Sequence, residues 1–338
     1  MRKFRTVVAL ISLCLAITAC GSAGSTASNQ LAGDWNSIVA AAKKEGAVTI
    51  YSSQNPDRLD AIKKAFQAQY PEITVTVVRS SDSDITTKAA TENQSGKGVG
   101  DVLVSASEGF AAQADNLVAR LRGPDFDARA YDRNASVRDD TYFLEGGVVY
   151  GLGWNTDALP TGLSDATDLL NPGLKGKIGI PQAVDANYVA FYHFLDQTYG
   201  EDFAQRLAAL KPRIYPGTIN IAEALASGEI DAGLAIAPPT EATAAGAPVG
   251  FKLPRQPYGI RLTGMALKAG PHPNAAQLLA NFMVTEKGQK AAAGDSYVAA
   301  LPHINDLGVA RDLPPADLDT LTPAFVSDYA NKWSQLFQ

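Results

Sequence analysis

The sequence predicts an α/β protein of two lobes, each a mostly parallel sheet flanked by helices, with two hinge crossings between them. Three observations carry that expectation. Apolar, β-rich runs alternate with amphipathic helical segments in two separate blocks, the sequence sign of parallel sheets covered by helices. Between the blocks lies TYFLEGGVVYGLGWNTDALP, Thr141 to Pro160, an extended glycine-rich stretch suited to crossing from one body to another. FKLPRQPYGIRLTGMALKAG, Phe251 to Gly270, fits the return. The resulting division puts lobe 1 at residues 34–150 plus 256–303, lobe 2 at 151–255, and a helical C-terminal tail packing on the lobes at 304–338.

The first segment reads as an address label. Arg2, Lys3 and Arg5 precede an apolar run of 11 residues, Val7 to Ile17, whereas a helix needs about 20 to cross a bilayer. A charged start, a short oily run and small residues make a secretory signal, residues 1–19. Its end, Ile17-Thr18-Ala19-Cys20, resembles the lipobox of bacterial lipoproteins, in which the cysteine thiol is acylated and the peptide bond before it is cut. Cys20 is thus expected to begin the mature chain and to anchor it on the outer face of the cytoplasmic membrane, since several acyl chains give lasting attachment. Residues 20–33 follow as a tether, poor in bulky apolar side chains and reaching about 20 Å as a coil. The sequence has two cysteines. Cys14 leaves with the signal and Cys20 carries lipid, so the exported body must hold without disulfides or thiol ligands.

In the first block, WNSIVAAAKKEG sets Trp35, Ile38, Val39 and Ala42 at helical spacing and stops at Gly46. AVTIYSS follows as a strand. In NPDRLDAIKKAFQAQYP, Asn55 is the expected N-cap and Pro56 takes the first helical position, where its missing N–H costs nothing. Leu59, Ile62, Phe66 and Tyr70 mark the buried face. ITVTVVRS and DVLVSAS are strands, each followed by a helix, DITTKAATENQ and EGFAAQADN. The second block runs from the strand KIGIPQ through the helices ANYVAFYHFLDQTYG and INIAEALASG to the strand EIDAGLAIA and a short helix after Thr240.

Composition narrows the function. With 46% hydrophobic residues the chain can bury stable cores, and its net charge of −6 argues against nucleic acid or an anionic membrane surface as partner. GKGVGD, Gly96 to Asp101, lacks the spacing of a phosphate loop and precedes a strand, so it is a turn. No G-x-S-x-G elbow, S-x-x-K context or free thiol supports an enzyme, and no cofactor is implied. His193, His272 and His303 are scattered, without the spaced acidic or thiol neighbours of a metal site.

Open α/β sheets bind ligands beyond the carboxyl ends of their strands, at helix N-termini with unsatisfied N–H groups. Those junctions read YSSQNPD, RSSDSDIT, VSASEG, PQAVDANY, YPGTINIA and APPTEA. Each alone is ordinary capping chemistry. Six of them across two bodies point to a cleft.

VTIYSSQNPDRLDAIKKAFQAQYPEITVTVVRSS, DVLVSAS, YGLGWNTDALP, DLLNPGLKGKIGIPQA, ALASGEIDAGLA and NAAQLLANFMVTEKGQKAAA resemble, in order, signature stretches of the iron(III) and phosphonate-type extracellular solute-binding proteins of ABC importers. The resemblance implies the type II periplasmic-binding fold, a ligand gripped between lobes, and delivery to a membrane permease and its ATPase. It also implies adjacent tyrosines after the SGE stretch in iron-binding members; here Pro238, Pro239 and Thr240 stand in that place, which demotes ferric iron to an alternative.

On this reading Ser52, Ser53, Ser81, Ser83 and Ser105 of lobe 1 meet Asp185, Asn187, Tyr188, Thr218 and Thr240 of lobe 2 around a small polar solute. Hydroxyls and helix N-termini suit an oxyanion such as a phosphonate, phosphate ester or carboxylate. Asp82 suits an ammonium group, and a zwitterion satisfies both. Tyr188 and Tyr192, four apart on one helix face, read as packing residues, with Tyr188 near enough to the helix start to reach a cleft. Trp154, near the crossing, either stacks on the ligand or packs the hinge. The alternative of another class is an exported enzyme on the same fold. A hinged clamp needs no second copy, so a monomer is expected.

Overall fold

Short-range signals set the element boundaries. Asp34 caps helix α1 (Trp35–Glu45), its carboxylate accepting from the Ser37 amide at 3.0 Å, and Gly46 ends the helix at φ 68°. Asn55 caps α2 (Pro56–Gln69) through the Asp57 amide, with Pro56 at the first position. Ser81 caps α3 (Asp82–Ser95). The computed structural model describes residues 30–111 and 114–338. The signal, Cys20 and most of the tether lie outside the described residues.

Strands β1 (Ala47–Ser52), β2 (Thr74–Arg79) and β3 (Val102–Ser105) pair in parallel in the order β2-β1-β3, with α4 (Glu108–Ala111) after β3. After α5 (Arg133–Ser136) and the two-residue β4 (Val137–Arg138), the glycine-rich stretch forms one 14-residue strand, β5 (Tyr142–Asn155). The second half brings β6 (Ile178–Pro181), α6 (Ala186–Tyr199), α7 (Phe203–Ala209), β7 (Arg213–Tyr215), α8 (Thr218–Ser227), β8 (Ala232–Ile236), α9 (Thr240–Ala244) and β9 (Val249–Lys252). The chain returns through β10 (Tyr258–Ala266), α10 (Pro273–Met283), α11 (Glu286–Ala293), β11 (Val298–Ala299) and α12 (Pro323–Phe337). Among the described residues no helix is long and apolar enough to cross a membrane.

Strand directions place the two halves face to face. In lobe 1, β10 lies antiparallel between β3 and β5, so β5 points the same way as β1, β2 and β3 and leaves the lobe at their carboxyl ends. Its last residues, from Gly151, pair antiparallel with β8 and β9, and β8 runs parallel to β6, which runs parallel to β7. The carboxyl ends of β6, β7 and β8 therefore point back at lobe 1. The gap between the two sets of ends lies beside Tyr150 and Gly151.

Each lobe has its own apolar core, around Phe66, Phe126, Phe143 and Phe282 in lobe 1 and around Leu152, Ile180, Tyr192 and Phe203 in lobe 2. Beneath β5 lies a fully buried ion pair. Arg58 Nη2 meets Glu145 Oε2 at 2.5 Å, Gln54 donates to the same oxygen, and Tyr297 stacks on the guanidinium. Removing one partner of such a pair strands the other charge, a loss of about 3–5 kcal/mol, so Glu145 fastens α2 to the crossing strand.

Candidate functional site

All six hydroxyl-rich junctions sit between a parallel strand and the next helix, on the sides of the two sheets that face each other. Much of their chemistry is spent locally. The fully buried Ser52 hydroxyl accepts from the Gln54 amide, with half-buried Ser53 beside it. Ser81 Oγ accepts from the Asp84 amide and lies 3.0 Å from Ser83 Oγ. Ser105 Oγ donates to Asp82 Oδ1 at 2.7 Å and accepts from the Ser107 amide. These serines build the turns and hold Asp82 in place.

Asp82 is half-buried at the first position of α3, and Oδ1 also accepts from the Ala106 amide at 3.3 Å. Across the gap, Asp185 caps α6, with Oδ1 accepting from the Asn187 and Tyr188 amides at 2.9 and 3.0 Å. Although the Asp185 carboxylate stays solvent-accessible, the walls around it exclude bulk water and push its pKa up; the two amides oppose that shift and the negative charge of Asp82 adds to it. The charge of Asp82 thus reaches Asp185 from the opposite lobe.

Between them stands an aromatic wall. Tyr150 is 7% exposed and stacks at 6.3 Å on Tyr188, with Tyr258 at 5.9 Å and Phe191 edge-on at 5.4 Å. Burial drives the Tyr150 hydroxyl well above the ordinary tyrosine range, followed by the fields of Tyr188, Asp185, Tyr258 and Asp82. Burial and Asp185 push Tyr188 up to about 12, opposed by the Thr218 amide and hydroxyl at the start of α8. A side chain on Gly217, the residue before α8, would come within 3.2 Å of that Tyr188 oxygen. Gly217 therefore leaves the first turn of α8 without a side-chain cap. Glu108, at the start of α4, is also raised by burial, against an N–H from Ala316 and the positive charges of Arg261 and Arg138.

Two expectations change in the folded chain, those for Trp154 and Thr240, while Tyr192 packs as its helical spacing suggests. Trp154 pairs with Ala232 at the far end of β8 and lies against Gly250 and Gly162, remote from the facing junctions. Tyr192 is buried, donates to the Pro181 carbonyl at 2.6 Å and packs on Trp333. Thr240 instead binds the opposite lobe directly, its hydroxyl 2.5 Å from Ser296 Oγ. Tyr150, Tyr258, Glu108 and Ser296 were missed in the sequence; the two tyrosines sit in the crossing stretches, where aromatic residues were the available signal.

Among the described residues no group of three or more His, Cys, Asp or Glu side chains is placed to hold a metal ion. A shallow hollow of about 600 Å³ on the outer face of lobe 1 is lined by Arg120, Arg133 and Asp140, which pair with one another, and it lies away from the facing junctions.

The fold matches known structures over most of its length. The iron-bound HitA of Pseudomonas aeruginosa superposes with a TM-score of 0.66 at 20% identity, covering 86% of this chain and 99% of that one. A substrate-binding protein of an ABC transporter from Agrobacterium tumefaciens gives 0.75 at 15%, covering 86% and 94%. The periplasmic binding protein AfuA of Actinobacillus pleuropneumoniae, with fructose-6-phosphate bound, gives 0.66 at 19%, covering 86% and 98%. No curated protein sequence matches the chain. The family profile described as bacterial extracellular solute-binding protein matches residues 61–315. Two facing α/β lobes, their carboxyl strand ends turned toward a shared gap, and that match together make this chain a member of the bacterial extracellular solute-binding protein family.

Proposed function

We propose that the chain captures a small polar solute in the gap between its lobes and presents it to the permease and ATPase of an ABC importer. In this reading Cys20 carries lipid and keeps the receptor at the outer face of the cytoplasmic membrane, where it works as a monomer. The observation that carries the proposal is the facing of the carboxyl strand ends of the two lobes across one gap, with Asp82 at the start of α3 on one side and Asp185 at the start of α6 on the other. A ligand touching both walls binds the closed arrangement better and shifts the population by that difference alone.

An oxyanion end of the solute has one open seat. The N-termini of α3 and α6 already carry their own acids, whereas the α8 start has no side-chain cap and stands beside the Tyr188 hydroxyl. Iron, bound in the Pseudomonas structure, fits less well as ferric ion here, because Pro238, Pro239 and Thr240 occupy the expected tyrosine segment and Thr240 is bonded to Ser296.

Differential scanning calorimetry with ferric salts, phosphonates, phosphate esters, polyamines and amino acids tests this. A true ligand at about a hundred times its dissociation constant adds about 2.7 kcal/mol, and Thr218→Ala with Ser53→Ala weakens it without unfolding the empty protein. The bound solute should be recovered chemically unchanged; turnover would favour an exported enzyme instead. No stabilisation by any class would remove the receptor reading.

A further inference from the structure

Each of the two facing acids uses one oxygen to hold itself and leaves the other free. Asp82 Oδ1 takes the Ser105 hydroxyl and the Ala106 amide, and Asp185 Oδ1 takes two α6 amides. Among the described residues neither Oδ2 has a hydrogen-bond partner, and neither acid forms an ion pair, although fourteen ion pairs occur elsewhere. Beside them two tyrosine hydroxyls, on Tyr258 and Tyr150, also lack a hydrogen-bond partner among the described residues, and Tyr150 is the more buried of the two. The Tyr150 ring is 7% exposed, stacks at 6.3 Å on Tyr188 in the first turn of α6 and lies 5.9 Å from the Tyr258 ring, beside the cap that Asp185 provides.

Two unpaired carboxylates facing each other repel, and narrowing the gap would strip water from both. An anion placed there would add a third negative charge. A ferric ion would find fewer oxygen donors than its coordination demands. A primary ammonium carries three N–H donors, enough for both free carboxylate oxygens and one tyrosine hydroxyl, and the faces of Tyr150, Tyr188 and Tyr258 favour a cation over an anion.

We propose that the gap takes the primary ammonium group of a small organic solute, held between Asp82 of one lobe and Asp185 of the other, with the Tyr150 hydroxyl as the third acceptor. This rests on the receptor reading above and names the cationic end of its ligand. The charge of the solute replaces the missing counter-ion, so binding and closure favour each other.

Isothermal titration of the full chain in detergent with five probes tests it: 1,4-diaminobutane, 2-aminoethylphosphonate, ethylphosphonate, glycerol phosphate and ferric citrate. The two amines should bind, and N-trimethylation of the bound amine should weaken binding at least tenfold by removing its donors. Asp82→Asn and Asp185→Asn should each cost tenfold or more, and Tyr150→Phe a smaller factor, with unfolding temperatures confirming folded variants. Binding of ethylphosphonate or glycerol phosphate without binding of either amine would overturn the ammonium assignment and leave the receptor reading standing. A ferric-phenolate absorption band would do the same. Binding of the amines that neither aspartate variant changes would overturn the ammonium assignment and leave the receptor reading standing; no binding of either amine would overturn the ammonium assignment, and the receptor reading falls only if the wider calorimetric screen is also silent.

Discussion

At the scale of single residues, Asp185 has consequences for the empty protein as well as for binding. Its carboxyl is raised by lost solvent and by Asp82, with its own α6 amides opposing; Tyr188 on the same helix, Tyr150 on β5 and Tyr258 on β10 are the other titratable groups facing it. An acid whose folded pKa exceeds its unfolded one lowers stability while ionised, and that loss is relieved as pH falls through the raised value. Asp185→Asn keeps a good helix cap and removes the charge. The variant should therefore melt above the parent near neutral pH, and calorimetry at decreasing pH should show the difference closing toward the ordinary carboxylate range. A difference independent of pH would assign the effect to something other than the charge. The cap at Asp185 was legible in the sequence as PQAVDANY before a helical run. Asp82 was legible too, as a candidate for an ammonium group, but its place opposite Asp185 was not, because nothing local records which loops of separate lobes meet.

Among the elements, β5 departs most from its sequence appearance. Four glycines between residues 145 and 154 would suggest a slack connector, yet the segment is a continuous strand that serves both sheets. Its glycines admit neighbours at close range: a side chain on Gly151 would meet Phe251 at 2.3 Å and the Lys252 carbonyl at 2.8 Å, and one on Gly147 would meet Leu313 at 2.4 Å. Gly151→Val should cost about 1–3 kcal/mol through overpacking, read as a lower midpoint in urea. An unchanged midpoint would show that β9 yields freely there. Helices and parallel strands were readable from caps and periodicity because those signals are local. The continuity of β5 was not, because close approach of β9 and the tail depends on residues about a hundred or more positions away.

For the molecule as a whole, the C-terminal tail adds a third link between the lobes. Arg261 on β10 donates to the Leu313 carbonyl, the Ala316 amide donates to Glu108 of lobe 1, and α12 then packs on α6 and α7 of lobe 2. Trp333, 3% exposed, anchors it against Tyr192. Trp333→Ala should lower stability by about 3–5 kcal/mol, measured by chemical denaturation; a loss below 1 kcal/mol would mean that the helix adheres without it. From the sequence, residues 304–338 read as a helical tail packing on the lobes, but the surface that α12 covers emerges only once α6 and α7 are assembled.

That third link has a fixed length. Leu318 lies against Gly109 of lobe 1, while Leu321 packs into the core of lobe 2. Three residues of fully stretched chain reach about 11 Å. Along this edge the jaws have a mechanical stop, and gaping wider requires one of those two leucines to let go first.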